Sequence, residues 1–286
     1  MFNEAAIFLE KTMRKAPIGI FDSGYGGLTV FKHIQELMPE YSYIYLGDNA
    51  RNPYGTRSFD VVYQYTLEAV EKLFSLGCEL VILACNTASA KALRTIQQND
   101  LPHIAPNKRV LGVIRPSVEE VGVTSKSRHV GLLATVGTVK SQSYSLEIEK
   151  LFPDITVTEE ACPMWVPLVE NREYYLPGAD YFIKQHIDSI LKKDEQIDTL
   201  ILGCTHYPLL INKIKQFTPS GITVMEQGGI VAHKLALYLD NHPEIESLCA
   251  KGGDAIFYTT ESSERFKEFA QIFLGQDINV ICTTMK

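Results

Sequence analysis

Residues 81–89 read VILACNTAS, and residues 199–208 read TLILGCTHYP. Each is a short apolar run of strand character, then a small residue, a cysteine, polar residues and a helix-forming stretch. An apolar run without alternation suits a strand buried on both faces of a parallel sheet. A cysteine at the carboxyl end of such a strand sits where open α/β sheets bind ligands. The helix start that follows offers free N–H groups and partial positive charge, which favour a thiolate and a bound carboxylate. Doing this twice constrains the chain strongly. It calls for two related α/β units sharing one crevice, with one sulfur on each side of a ligand.

The remaining periodicity agrees. Apolar strands are expected at 18–21, 43–46, 79–83, 110–114, 129–134, 155–158, 222–225, 255–258 and 278–282. Helical spacing is expected over 28–38, 59–76, 88–98, from about 138 to 151, 179–192, after Cys204 to 217, 227–239 and 261–274. In the second of these, Val62, Thr66, Ala69, Val70 and Leu73 form one apolar face. Residues 159–178 look irregular, and residues 1–16 read as an extension carrying one short helix. Strands alternating with helices predict an α/β fold: two pseudo-symmetric, doubly wound lobes with mainly parallel sheets. The order also repeats, strand-Asp-Ser-Gly matching strand-Thr-Val-Gly and strand-Cys-Asn-Thr matching strand-Cys-Thr-His. The expected division is 1–113 with 226–286 as the first lobe and 114–225 as the second, with the active site in the crevice between them.

At 286 residues the chain is long enough for two cores. A formal charge of −7 argues against a nucleic-acid or anionic-membrane partner. The six cysteines, at 78, 85, 162, 204, 249 and 282, form no C-x-x-C pair, and no stretch has the length of a membrane span. Free thiols in a reducing cytoplasm are expected.

Cys85 and Cys204 are the first candidates for chemistry, because they recur in matching contexts. Cys78, Cys162, Cys249 and Cys282 lack that context and read as structural. A thiolate on one face of a carbon next to a carboxylate takes its proton, and a thiol on the other face supplies one, which inverts the centre. Asp22 and Ser23 end the first strand, where a carboxylate either binds a substrate ammonium, steers a proton at Cys85, or simply caps the next helix. The GYGG run after them lacks the third glycine of a dinucleotide fingerprint. Asn86, Thr87 and Thr205 are donors near the two cysteines, Tyr54 and Gly55 offer others from a loop, and His206 suits an acid/base helper to Cys204. Glu170 carries no signal of its own. No metal cluster and no cofactor motif is visible.

Taken in order, FDSGYGGLTV, LGDNARNPYG, LACNTASA, LATVGTVKSQSY, ACPMWVPLVE and LGCTHYPLL resemble the glutamate racemases of the aspartate/glutamate racemase superfamily. The resemblance runs from Pro17 to about Leu239. It implies a cofactor-independent isomerase that interconverts L- and D-glutamate and supplies D-glutamate for peptidoglycan. It makes Cys85 and Cys204 the two acid/base groups, with Asp22, His206 and Glu170 assisting. Asp22, Ser23, Tyr54, Gly55, Asn86, Thr87, Thr205 and His206 become substrate contacts. Glutamate is the expected small-molecule substrate and a homodimer the expected assembly. Aspartate or another acidic amino acid is the alternative substrate, and a non-catalytic ligand-binding protein on the same scaffold the alternative of another class. The chain departs from the family pattern at Glu226-Gln227-Gly228, where Asp-Ser-Gly is frequent, and at Arg115-Pro116, where Glu-Pro is frequent.

Overall fold

The computed structural model describes residues 15–285, and the expected helix in the N-terminal extension lies almost wholly outside them. Among the described residues ten strands form two sheets, and every strand pairing is parallel. The first contains β1 (Ile18–Asp22), β2 (Tyr43–Gly47), β3 (Leu80–Leu83), β4 (Arg109–Gly112), β9 (Ala255–Thr259) and β10 (Val280–Cys282), in the order β10-β9-β2-β1-β3-β4. The second contains β5 (His129–Ala134), β6 (Thr156–Ala161), β7 (Thr199–Gly203) and β8 (Thr223–Met225), in the order β6-β5-β7-β8. Every residue of β1, β2, β3 and β7 is buried, as expected for strands covered on both faces.

Strand order reverses direction between β1 and β3 in one sheet and between β5 and β7 in the other. At such a point the connections leave on opposite faces of the sheet and a crevice opens beyond the strand ends. Phe21 pairs with Leu83, so the segments leading to Ser23 and Cys85 emerge side by side. Ala134 pairs with Gly203, so Thr135 and Cys204 do the same. The internal repeat is therefore a repeat of switch points.

The chain passes between the sheets twice, through the helix Ile114–Thr124 after β4 and through the helix Gln227–Asn241 after β8. The latter packs on the helix Leu28–Leu37, where Gly228 lies so near His33 that a Cβ would fall 2.2 Å from its ring. Apolar side chains of both sheets, including Ile18, Ile20, Leu200 and Leu202, join Val231 and Leu235 of that helix in one buried cluster. The lobes thus share core as well as cavity.

The helical spacing over 59–76 gives the helix Phe59–Ser75, with the expected face buried and Ser58 capping the Val61 N–H. Other boundaries differ. Residues 88–98 do not form one helix. The segment breaks into Asn86–Lys91, Leu93–Thr95, a π-helical turn Ile96–Asp100 and Leu101–Ile104. The strand expected at 110–114 stops at Gly112, and the helix Ile114–Thr124 begins before Pro116. A proline in the first helical turn sacrifices no hydrogen bond, which is why it does not mark a break here. The stretch 159–178 contains the end of β6 and the helix Trp165–Glu170, whose Trp165 is fully buried.

Gly131 lies under the helix Pro177–Lys193. A Cβ there would come 2.5 Å from Leu200 Cδ2 and 2.9 Å from Ile190 Cδ1. We expect Gly131→Ala to overpack this core and cost about 1–3 kcal/mol. The urea midpoint of unfolding should fall with an unchanged slope; an equal or higher midpoint would contradict the packing described.

Candidate active site

Both switch points open onto one cavity of about 70 Å³. Its wall includes Ser23, Tyr54, Gly55, Cys85, Asn86 and Thr87 from the first-sheet side, and Cys204, Thr205 and His206 from the second. Nine of the residues singled out from the sequence are thus brought together. All six cysteines are free, so the two sulfurs share the cavity without a bond between them. Asp22 and Glu170 stand behind the wall, bonded to its members Thr205 and His206.

Cys85 is the N-cap of Asn86–Lys91: its Sγ accepts the Ala88 N–H at 3.4 Å and donates to Ser23 Oγ at 3.4 Å. Burial pushes its thiol up to about 12, and the charge of Asp22 adds to this, against the downward pull of Ser23 and the Ala88 N–H. A helix start alone favours a thiolate; here desolvation outweighs it, and Cys85 rests as a thiol. Asp22 is wholly buried, accepting the Gly24 N–H at 2.9 Å and the Thr205 hydroxyl at 3.4 Å. Burial raises its carboxyl above 3.8, although the His206 charge and the Gly24 and Gly27 N–H groups draw it down.

Cys204 has a different partner. No regular helix starts directly after it; a turn leads to the 3-10 helix Tyr207–Leu210 and then to Ile211–Phe217. Instead His206 Nδ1 stands 3.9 Å from Cys204 Sγ, and His206 Nε2 stands 3.0 Å from Glu170 Oε1. Asn52 Nδ2 donates to the same Glu170 oxygen at 2.5 Å. Burial pushes the His206 imidazole down, but the bonds to Cys204 and Glu170 prevail and hold it well above 6.5. Glu170 is likewise pushed up by burial and pulled further down by His206 and Asn52, ending below 4.5. The two sulfurs therefore face opposite fields, a buried carboxyl at Cys85 and an imidazolium at Cys204.

The glycine run now has a physical reason. A Cβ on Gly26 would lie 2.4 Å from both His206 Nδ1 and Thr205 Oγ1, and one on Gly27 would lie 2.4 Å from Asp22 Cβ. The run lets the turn carrying Cys204 close against β1. Thr29 Oγ1 holds that turn by donating to Thr205 O at 2.9 Å. Gly55 similarly admits Thr135, whose Cβ would be 2.9 Å from an added Cβ. Thr87 Oγ1 meets Thr135 Oγ1 at 3.0 Å, tying the two lobes beside Cys85. Tyr54 lines the cavity while its hydroxyl donates to Asp48.

Sequence reasoning missed several members. Asn52, Thr135, Cys162 and Pro163 also line the cavity. Cys162 reads as structural because no strand-cysteine-helix context surrounds it, yet it is a cavity residue; burial holds its thiol well above 9.0, so it remains protonated. Asn52 sits one residue before the Pro-Tyr-Gly turn and carried no signal of its own.

Two unbonded sulfurs lining one pocket of an α/β switch-point fold suit an isomerase site of the proton-exchanging kind. Residues 26–233 match the family model described as Asp/Glu/Hydantoin racemase, and the chain belongs to that family. It is 39% identical over 271 residues to a glutamate racemase of Ruegeria sp. (strain TM1040), covering 91% of this chain and 97% of the relative. It superposes on the glutamate racemase isoform RacE1 of Bacillus anthracis with a TM-score of 0.86 at 34% identity, covering 95% of this chain and 98% of the other. A Thermus thermophilus glutamate racemase, solved in complex with β-chloro-D-alanine, gives a TM-score of 0.79 at 31% identity over 95% of this chain and 98% of that one.

Two expectations follow. In Gly26→Ala the added methyl must displace His206 and Thr205, so activity should fall at least about tenfold while the fold persists, as circular dichroism would report. Parental activity would show the close approach to be unimportant. The His206–Glu170 pair also sets a pH window. A raised histidine contributes stability that is complete below 6.5 and lost as pH rises through its folded value. A lowered carboxyl contributes stability that is complete above 4.5 and lost as pH falls through its folded value. Both are complete between these limits. Glu170→Gln should move the His206 titration, followed by NMR of the imidazole, to lower pH; an unmoved titration would break the assignment.

Proposed function

We propose that this enzyme is a cofactor-independent racemase interconverting L- and D-glutamate with Cys85 and Cys204 as its two bases. The observation that carries the reading is the pair of unbonded sulfurs on one cavity wall, each with an ionisable neighbour of opposite sign. An α-proton is acidic enough to remove only when the carboxylate beside it is held by hydrogen-bond donors. Ser23, Asn86, Thr87 and Thr205 supply hydroxyl and amide groups on the wall for this purpose, with Tyr54 and Gly55. His206 sets a positive charge beside the Cys204 sulfur, and Glu170 positions His206. Asp22 discourages a thiolate at Cys85 until the substrate's own charges have entered.

In the free enzyme Cys85 then holds its proton. If Cys204 serves the L-isomer, as the family resemblance implies, the Cys85 proton is the one delivered in the L-to-D direction. One turnover leaves the proton on Cys204, and the site must exchange protons to reset. The enzyme acts on a small-molecule substrate in the cytoplasm as a homodimer, supplying D-glutamate for peptidoglycan. Its lobes are residues 1–113 with 226–286, and residues 114–225, a division supported by which strands share a sheet.

Inversion needs a base on one face and an acid on the other, so Cys85→Ala and Cys204→Ala should each abolish racemisation in both directions. Elimination of chloride from β-chloroalanine needs only one base. Cys204→Ala should still release chloride from the D-isomer, and Cys85→Ala from the L-isomer, as followed by pyruvate formation with each. Preference of both variants for the same isomer would overturn the assignment of faces. Racemisation near the parental rate in either variant would remove that cysteine from the mechanism.

A further inference from the structure

Asn86 follows Cys85 and lies on the cavity wall, and its amide closes a ring of hydrogen bonds with two residues remote in sequence. Asn86 Nδ2 donates to Gln227 Oε1 at 2.6 Å, Gln227 Nε2 donates to Tyr144 Oη at 2.7 Å, and Tyr144 Oη donates to Asn86 Oδ1 at 2.6 Å. The second Gln227 Nε2 proton goes to Ser117 Oγ at 2.7 Å, and Ser117 Oγ donates in turn to Val113 O at 2.9 Å. All four side chains are buried. Ser117 and Gln227 lie on the two helices, Ile114–Thr124 and Gln227–Asn241, that carry the chain between the sheets. Tyr144 lies on the helix Ser143–Leu151 beside the second sheet.

The ring runs in one direction. Turning the Asn86 amide over would set its oxygen against Gln227 Oε1 and lose the acceptor for Tyr144. In a dry site that leaves buried polar groups unpaired, so the Asn86 amide cannot turn over unless Gln227 turns with it. An asparagine amide has two N–H donors, and the ring uses one. The other is left over on a residue of the cavity wall. The departure from the family pattern at Glu226-Gln227-Gly228 falls on the residue the ring uses.

We propose that Gln227, with Tyr144, is a positioning residue for Asn86: the ring fixes the amide so that its remaining N–H serves the substrate carboxylate. This inference rests on the reading of Asn86 as a substrate contact. It also makes the geometry of that contact depend on both inter-sheet helices.

The test uses the full chain. Gln227→Met keeps the length and removes both ring bonds of that residue. Tyr144→Phe removes the donor to Asn86 Oδ1 and serves if Gln227→Met does not fold. Ser117→Ala removes the branch and leaves the ring whole. With glutamate as substrate, KM should rise about tenfold in the first two with kcat little changed, the size of one lost hydrogen bond to a charged group. Ser117→Ala should keep the parental KM even if its unfolding midpoint falls as far. A readout without turnover is the Asn86 side-chain amide signal in protein labelled with 15N-asparagine, assigned by its loss in Asn86→Asp. Its exchange with solvent should be about tenfold faster, or more, in Gln227→Met than in the parent. Unchanged exchange, faster exchange with unchanged KM, or an equal KM rise in Ser117→Ala would each overturn the proposal. A parent chain that does not racemise glutamate would refute the reading of the site instead, and the exchange comparison would still decide whether the ring locks Asn86.

Discussion

The turn that carries Cys204 packs against Gly26 more closely than any side chain at that position allows. That contact brings Thr205 onto Asp22 and places His206 over the end of β1. Without it the two sheets would each keep a switch point and a cysteine, but not a common cavity. The glycine-rich run is therefore a packing device. Its resemblance to a phosphate loop is a consequence of both needing close backbone approach.

Two cysteines that look equivalent in sequence are made unequal by what surrounds them. Cys85 is desolvated and stands beside a buried carboxyl, so its proton is held. Cys204 stands beside an imidazolium braced by Glu170 and Asn52. Each field is set by burial, because exposed charges at such distances would be screened by water. Two residues of one type thus stand in different surroundings within one pocket.

The lobes are joined by more than loops. One apolar cluster runs from the first sheet through the helix Gln227–Asn241 into the second. Polar ties flank the cavity: the threonine contact of Thr87 with Thr135, the Thr29 and Thr205 bond, the Asn52 and Glu170 bond and the ring at Asn86. Each spends its hydrogen bonds on a residue from the second-sheet side or from an inter-sheet helix. The position of each sulfur is thus coupled to how the sheets sit on one another, which is the geometry a reaction on two faces of one carbon demands.

Periodicity alone determined much. Buried parallel strands leave continuous apolar runs, so the positions of the strands along the chain and the two cysteine-bearing ends were legible, as was the face of Phe59–Ser75; the order of the strands within each sheet was not. The helix at Ile114–Thr124 was not, because Pro116 reads as a break unless its place in the first turn is known. The helix N-terminus expected behind Cys204 was replaced by His206, since a turn and a 3-10 segment intervene. Glu170, Asn52, Cys162 and Gln227 have no local pattern; their meaning comes from partners far off in the chain, such as Asn52 with Glu170 or Gln227 with Asn86. The sequence by itself determined which strand ends carry sulfur, because local hydrophobicity and turn chemistry fix the strands. Only the tertiary structure decided that Cys85 keeps its proton, because that depends on burial and on charges brought together from distant segments.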